Sequence, residues 1–313
     1  MPTAPRAKLA PISYLPRGTE GGSNAAASVW IPIGLVFVTF GVFAWACGAE
    51  FVSWDDPLHV MQNPGLNPPT LASLWAFWAH PYQNLYIPLT YSMWWVLALV
   101  ARVQGGAAAN GSGMELNPWV FHTVNVLLQC GSVVLVWRLL RNLLGEDVPA
   151  AAGALLWAIH PLQVESVVWV SAGKDQLCGV FTFAALLLFV PATPAKAKSA
   201  DPRRDVLATL MFVAALLAKP AAVVAPLIAA VLVAFFPHRP RRWRWLALWV
   251  LLALGDVLIT KIAQPVGTPA DGGRWWWRPL IACNALEFYL VKLIIPIRLV
   301  IQYNREPAAV IAG

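Results

Sequence analysis

Charged side chains are scarce in this sequence. They make up 12% of its 313 residues against 59% hydrophobic ones, and the mean hydropathy is +0.62. A soluble domain of this length needs a polar surface, so a water-soluble globular protein is excluded and a polytopic membrane protein is indicated. Cysteine is sparse too: Cys47, Cys130, Cys178 and Cys283 stand singly in or beside apolar runs. Without paired spacing they offer neither a zinc site nor a disulfide framework. No repeat of fixed period occurs, and no polar stretch is long enough to fold as a separate domain. Basic charge is missing altogether between Ala49 and Ala101, where no Lys or Arg is found.

The charge that is present falls in a pattern. A formal net charge of +7 would suit nucleic acid if it were gathered in one groove. Instead the basic residues occupy short loops between apolar runs, Lys196 to Arg204 and His238 to Arg244. That is the positive-inside distribution, so the partner implied is the lipid bilayer and not nucleic acid. Residues 1–28 hold Arg6, Lys8 and Arg17 among Pro, Gly, Ala and Ser, then lead into the apolar run Val29 to Cys47 without a small-residue cleavage site. They read as a disordered cytoplasmic tail before an uncleaved anchor.

Counting every apolar run as a crossing would put Arg138, Arg141 and all later basic loops on the outer side, against the positive-inside bias. The conflict disappears if Leu85 to Ala101 does not cross. Pro88 breaks its start, Thr90, Tyr91 and Ser92 are polar, and Trp94 and Trp95 prefer the headgroup boundary. This run and the Trp-rich Leu71 to Trp78 are assigned to interfacial helices, which makes residues 48–118 one external segment. Crossings are then expected at Val29 to Cys47, Trp119 to Trp137, Ala150 to Pro161, Gln176 to Val190, Val206 to Ala218, Ala221 to Phe236 and Trp245 to Ile262. Whether Leu280 to Ile301 crosses is left open by its Glu287, Lys292 and Pro296. The expected architecture is an all-α polytopic membrane bundle over residues 29–303 with a short tail, 304–313.

This layout collects Asp55, Asp56, His160, Glu165, Lys174, Asp175, Lys219, Arg274 and Arg278 on the extracytoplasmic side. Several carboxylates beside several cations suit glycosyl transfer from an anionic lipid phosphate to a hydroxyl. One acid serves as general base while cations hold the leaving phosphate. Carboxylate oxygens also suit Mg²⁺ or Mn²⁺, for which Asp56 and Asp175 are the candidate ligands. Plainer readings stand beside these. Lys219 can be a boundary lysine, His160-Pro161 a helix stop, and Lys174-Asp175 a surface pair. Asp256 in the last full span is a functional suspect or a residue meeting water near a helix end. His122 and Asn125, one turn apart, read as a contact between helices, not a metal site.

Read together, several motifs resemble one family. Trp54-Asp55-Asp56 precedes Asn63-Pro64 and Pro88-Leu89-Thr90; Phe121-His122-Thr123-Val124-Asn125 follows. Then come His160-Pro161-Leu162-Gln163-Val164-Glu165, Gly173-Lys174-Asp175 and Ala218-Lys219-Pro220. The series is similar to the membrane half of the transmembrane and tetratricopeptide-repeat O-mannosyltransferases, members of the glycosyltransferase C superfamily. The resemblance runs from about Phe51 to Pro220, with a fainter echo at Lys292 to Tyr303. It implies a polyprenyl-phosphate-linked mannose or similar hexose as donor, a protein or lipid hydroxyl as acceptor, and a site outside the cytoplasm. The setting expected is a bacterial inner membrane in preference to the endoplasmic reticulum.

The resemblance also implies roles. Asp55 and Asp56 would be the catalytic acid pair, with Asp55 as base. Asp175 and Lys219 would line the site, Lys219 against the lipid phosphate, and His160 and Glu165 fall on a further motif. Two positions depart: Ile87 stands where the family usually has Arg, and Gln129 where it usually has a second His. One substrate contact is therefore expected to be missing. Further spans and repeats would follow Gly313, so the chain reads as incomplete. The rival readings are a non-enzymatic carrier of lipid-linked sugars and an assembly subunit that keeps the fold without the activity.

Overall fold

The computed structural model describes residues 25–104, 114–190, 202–235, 243–264, 277–301 and 303. Among them the chain is helical apart from one small ribbon. Helix α1, Ala25–Phe43, runs on into a tight helical turn, Ala44–Gly48. The segment expected to be external follows, with a π-helical turn at Pro57–Met61, helices α2 (Leu71–Ala79) and α3 (Pro88–Ala101), and the antiparallel strands β1 (Arg102–Gln104) and β2 (Met114–Leu116). The ribbon, which pairs Val103 with Glu115, is an exception to the expected all-α chain.

Helix α4, Pro118–Leu144, is the longest at 27 residues. Pro118 opens it, and the Asn117 side chain caps it by accepting from the Trp119 N–H at 3.0 Å. It ends where Gly145 takes a left-handed φ of 78°, a conformation glycine adopts without a Cβ penalty. The expected end at Trp137 was a membrane boundary, not a helix end. At a 1.5 Å rise the helix is about 40 Å long, more than the ~30 Å hydrocarbon core, so its last turns carry Arg138 and Arg141 beyond the apolar zone.

Helix α5, Asp147–Ala158, has 12 residues, about 18 Å, and does not by itself match the crossing expected of Ala150 to Pro161. Pro161 disfavours helical geometry at His160, so the chain turns there and restarts as α6, Gln163–Val168. A short turn, Val170–Ala172, leads into α7, Gly173–Phe189. Next are α8 (Pro202–Ala218), a turn at Pro220–Val224, α9 (Ala225–Phe235), α10 (Trp243–Ala263) and α11 (Trp277–Ile294). Among the described residues, four segments are long and apolar enough to cross a membrane: Val29–Gly48, Pro118–Leu144, Val170–Phe189 and Trp243–Ala263. The other expected crossings, in α5, α8 and α9, are shorter or carry charge. Helix α11, with Arg278, Glu287 and Lys292 on it, buries none of its residues.

Small residues let these helices approach closely, as lipid-facing bundles require. Ala150, Ala154 and Ala158 form one face of α5 and meet Val133, Val136 and Trp137 of α4. Between α7, α8 and α10, Ala185, Ala208 and Ala215 make room for Phe189, Phe212 and Trp249. The Phe212 and Trp249 rings stack 4.7 Å apart, and the Trp249 indole N–H donates to Thr209 at 2.9 Å. Helix α3 has 14 residues, about 21 Å, and is not a full crossing. It is anchored to α8 where the Thr90 hydroxyl donates to the Ala218 carbonyl at 2.9 Å.

Candidate active site

The segment between α1 and α4 is held onto the bundle by its aromatic residues. Tyr91 stacks on Phe77 at 4.7 Å and meets Tyr82 and Trp94 edge-on at 5.5 Å each. This cluster fixes α2 against α3 and leaves the Tyr91 hydroxyl 2.9 Å from His59 Nδ1. His59 lies on the Pro57–Met61 turn, so the Tyr91 contact fixes the piece of chain that carries Asp55 and Asp56. Burial, followed by the nearby charge of Lys174, holds the His59 imidazole below its ordinary pKa; Asp55 and Asp56 oppose that effect.

The two acids are neighbours with different surroundings. Asp56 is fully buried. Its Oδ2 accepts from the Val52 N–H at 2.9 Å, and its Oδ1 accepts from both the Ser171 N–H at 2.8 Å and the Ser171 hydroxyl at 2.5 Å. The carboxylate thus joins the segment between α1 and α4 to the turn that opens α7. The Asp55 side chain is 44% exposed and lies 3.7 Å from Lys174 Nζ, whose side chain is 15% exposed. Next in sequence, Asp175 forms an ion pair with Lys219.

Lys219 owes its position to its neighbour. Pro220 forces the preceding residue out of helical geometry, and Lys219 is extended (φ −160°, ψ 134°). Helix α8 stops, and the side chain is released toward the first turn of α7. A groove of about 320 Å³ lies there, lined by Glu165, Ser166, Trp169, Lys174, Asp175 and Lys219 among others. The groove sits at one end of the bundle, where the Asp55 segment, α6, the start of α7 and the end of α8 meet.

Of the residues singled out from sequence, the structure brings Asp55, Glu165, Lys174, Asp175 and Lys219 together, with Asp56 behind them. His160 does not line the groove. Its Nδ1 accepts from the Leu162 N–H at 3.2 Å, leaving Nε2–H to donate to the Leu293 carbonyl at 3.0 Å. Both ring nitrogens are engaged with backbone, one at the α5–α6 corner and one against α11. Arg278 is exposed on the first turn of α11, outside the groove lining. Arg274 lies outside the described residues.

The two candidate metal ligands, Asp56 and Asp175, both have partners within the protein. Asp56 has three donors on its oxygens, and Asp175 is paired with Lys219. Among the described residues, no group of three His, Cys, Asp or Glu is placed to hold a metal.

Other residues position the site, and of these Ser171 was not singled out. Ser171 grips Asp56. The Asn125 amide donates to the Trp169 carbonyl at 2.9 Å, and His122 Nε2 lies 3.3 Å from the Glu50 carbonyl. The His122/Asn125 pair therefore ties α4 to two loops, not to another helix. Asp256, buried in α10, is not a solvated end residue.

Residues 90–262 match the family model described as dolichyl-phosphate-mannose-protein mannosyltransferase. The chain is 30% identical over 210 residues to Protein O-mannosyl-transferase Tmtc2 of Drosophila melanogaster, covering 62% of this chain and 20% of the relative. It is 28% identical over 183 residues to TMTC1 of Mus musculus, covering 54% and 19%, and 27% identical over 191 residues to TMTC4 of Homo sapiens, covering 54% and 24%. The chain therefore spans 19–24% of the length of these curated relatives. No solved structure matches it.

Proposed function

The chain belongs to the dolichyl-phosphate-mannose-protein mannosyltransferase family, and from that membership we propose that it transfers mannose or a similar hexose from a polyprenyl phosphate to a hydroxyl outside the cytoplasm. The observation that carries this reading is the groove edged by Asp55–Lys174 and Asp175–Lys219. Lys219, helped by Lys174, holds the phosphate of the donor at the groove. Asp55 is exposed enough to reach a substrate and is the general base. The acceptor oxygen attacks the anomeric carbon, its proton passes to the Asp55 carboxylate, and the bond from that carbon to the phosphate oxygen breaks. The electron pair leaves with the polyprenyl phosphate, whose charge the lysines stabilise. Asp56 positions Asp55 and does not touch substrate.

A non-enzymatic carrier of lipid-linked sugars would need polar groups at mid-membrane and on both faces. The gathering of charge at one end of the bundle favours transfer over carriage. The test uses protein reconstituted in bilayer discs with a labelled polyprenyl-phosphate mannose. Asp55→Asn should abolish sugar transfer while expression and membrane insertion stay normal, and Lys219→Met should raise the donor KM. Full turnover by Asp55→Asn removes the assignment.

A further inference from the structure

The segment that carries the acid pair has a second opening on it. A cavity of about 630 Å³, roughly twice the size of the lysine-lined groove, is bounded by Glu50, Phe51, Met61 and Gln62 on one side. Opposite are the ribbon residues Val103, Glu115 and Leu116, then Asn117 and Trp119 at the start of α4. Its size falls within the ~300–1,000 Å³ of ligand pockets. Phe51 on one flank of Asp55, and Met61 and Gln62 on the other, face this cavity. Asp55 itself meets Lys174 of the groove. The stretch from Phe51 to Gln62 therefore borders the cavity at both its ends and reaches the groove through Asp55, whose partner Lys174 lines it.

Their electrostatics are opposite. The groove has two lysines in its lining, which suits a phosphate. Among the described residues, the cavity lining has two carboxylates, Glu50 and Glu115, and neither lysine nor arginine. A phosphate-bearing ligand is disfavoured there, and a neutral or cationic one is favoured. The side-chain amides Gln62 and Asn117 alternate with the apolar faces of Phe51, Met61, Val103, Leu116 and Trp119. That mixture matches a chain of peptide groups and side chains better than it matches a lipid.

We infer that this cavity is the acceptor subsite, and that it takes a hydroxyl-bearing polypeptide segment with lysine or arginine close to the accepting residue. The inference rests on the glycosyl-transfer reading and names the acceptor for it. The Ser or Thr enters from the cavity side while the sugar phosphate lies in the groove, and Asp55 stands between them.

The experiment uses two synthetic peptides of equal length around one Thr, one flanked by lysines and one by glutamates. Each is titrated into the disc-reconstituted chain without donor, read by tryptophan fluorescence, since Trp119 lines the cavity. The lysine-flanked peptide should bind about fivefold to tenfold more tightly at low salt, the difference expected of two partly exposed charge pairs. Glu50→Lys with Glu115→Lys should abolish or reverse that preference and raise the peptide KM, while donor hydrolysis by water is unchanged. Both positions are exposed, and each single variant is scored beside the pair, so misfolding of the pair leaves the singles to decide. Equal binding of both peptides, or an unchanged preference in the variants, overturns the inference. So does label appearing on a lipid hydroxyl while neither peptide binds. If peptide transfer persists unaltered in the variants, the cavity assignment fails and transfer stands. If the charge preference behaves as expected and no sugar moves, the cavity holds peptide and the glycosyl-transfer reading fails.

Discussion

Asp55 and Asp56 are adjacent in sequence, yet their removal should have very different consequences. Replacing Asp56 by Ala deletes an acceptor for three donors, the Val52 N–H, the Ser171 N–H and the Ser171 hydroxyl. The two Ser171 donors would be left buried and the Val52 N–H partly so. Each stranded donor costs about 1–3 kcal/mol, partly offset by no longer burying a carboxylate, so the net loss should be about 3–4 kcal/mol. In a chain of 313 residues that corresponds to a midpoint lower by roughly 5–6 °C. Asp55→Ala removes one ion pair, 3.7 Å long, from a side chain that is 44% exposed. After allowance for screening it should cost under about 1 kcal/mol. Thermal unfolding in detergent, followed by tryptophan fluorescence with size-exclusion recovery as a check, separates the two variants. Equal midpoints for Asp56→Ala and the parent would refute the role given to Asp56 as the link between the α1–α4 segment and α7. A loss for Asp55→Ala as large as that for Asp56→Ala would refute the division of labour between them.

Two further predictions follow from the same corner of the molecule. The His59 imidazole has its pKa lowered by burial first and Lys174 second. The unfolded chain then binds the extra proton first, so stability is complete above about pH 6.5 and falls as the pH drops below it. A His59→Gln variant should show a shallower acid limb in a pH series of melting points, and an unchanged limb would dismiss the effect. At Gly173, an added Cβ would lie 2.7 Å from Asn125 Oδ1 and 3.3 Å from the Trp94 indole nitrogen. Gly173→Ala should therefore displace Asn125 from the Trp169 carbonyl, cost about 1–3 kcal/mol and reduce transfer; parental melting and turnover together would refute that close contact.

The helical part of the fold was legible because apolar runs of crossing length are a strong signal in a chain with so little charge. Interruptions were legible from single residues: Pro161 ends α5 and Pro220 turns Lys219 outward. Ends were less so, since Arg138 marks where lipid stops and α4 continues to Leu144. The ribbon was missed because strands of three residues have no readable alternation. Within the site, the residue types were visible but their partners were not. Asp56 meets Ser171 across 115 positions, and Lys219 meets Asp175 across 44. No local pattern encodes such pairings. Ser171 could have been suspected only as a small polar residue two positions before Gly173, and the backbone groups that occupy the His160 ring lie on α11 and at its own corner.

The order of charges through the groove is acid, base, base, acid: Asp55, Lys174, Lys219, Asp175. Each lysine at rest already has a counter-ion drawn from the protein itself. On the proposed reading, an incoming phosphate therefore displaces a resident anion instead of filling an empty slot, and its tail must supply part of the affinity. The displaced carboxylates are left unneutralised beside the newly bound sugar, so capture of the donor is the event that turns Asp55 from half of an ion pair into a base.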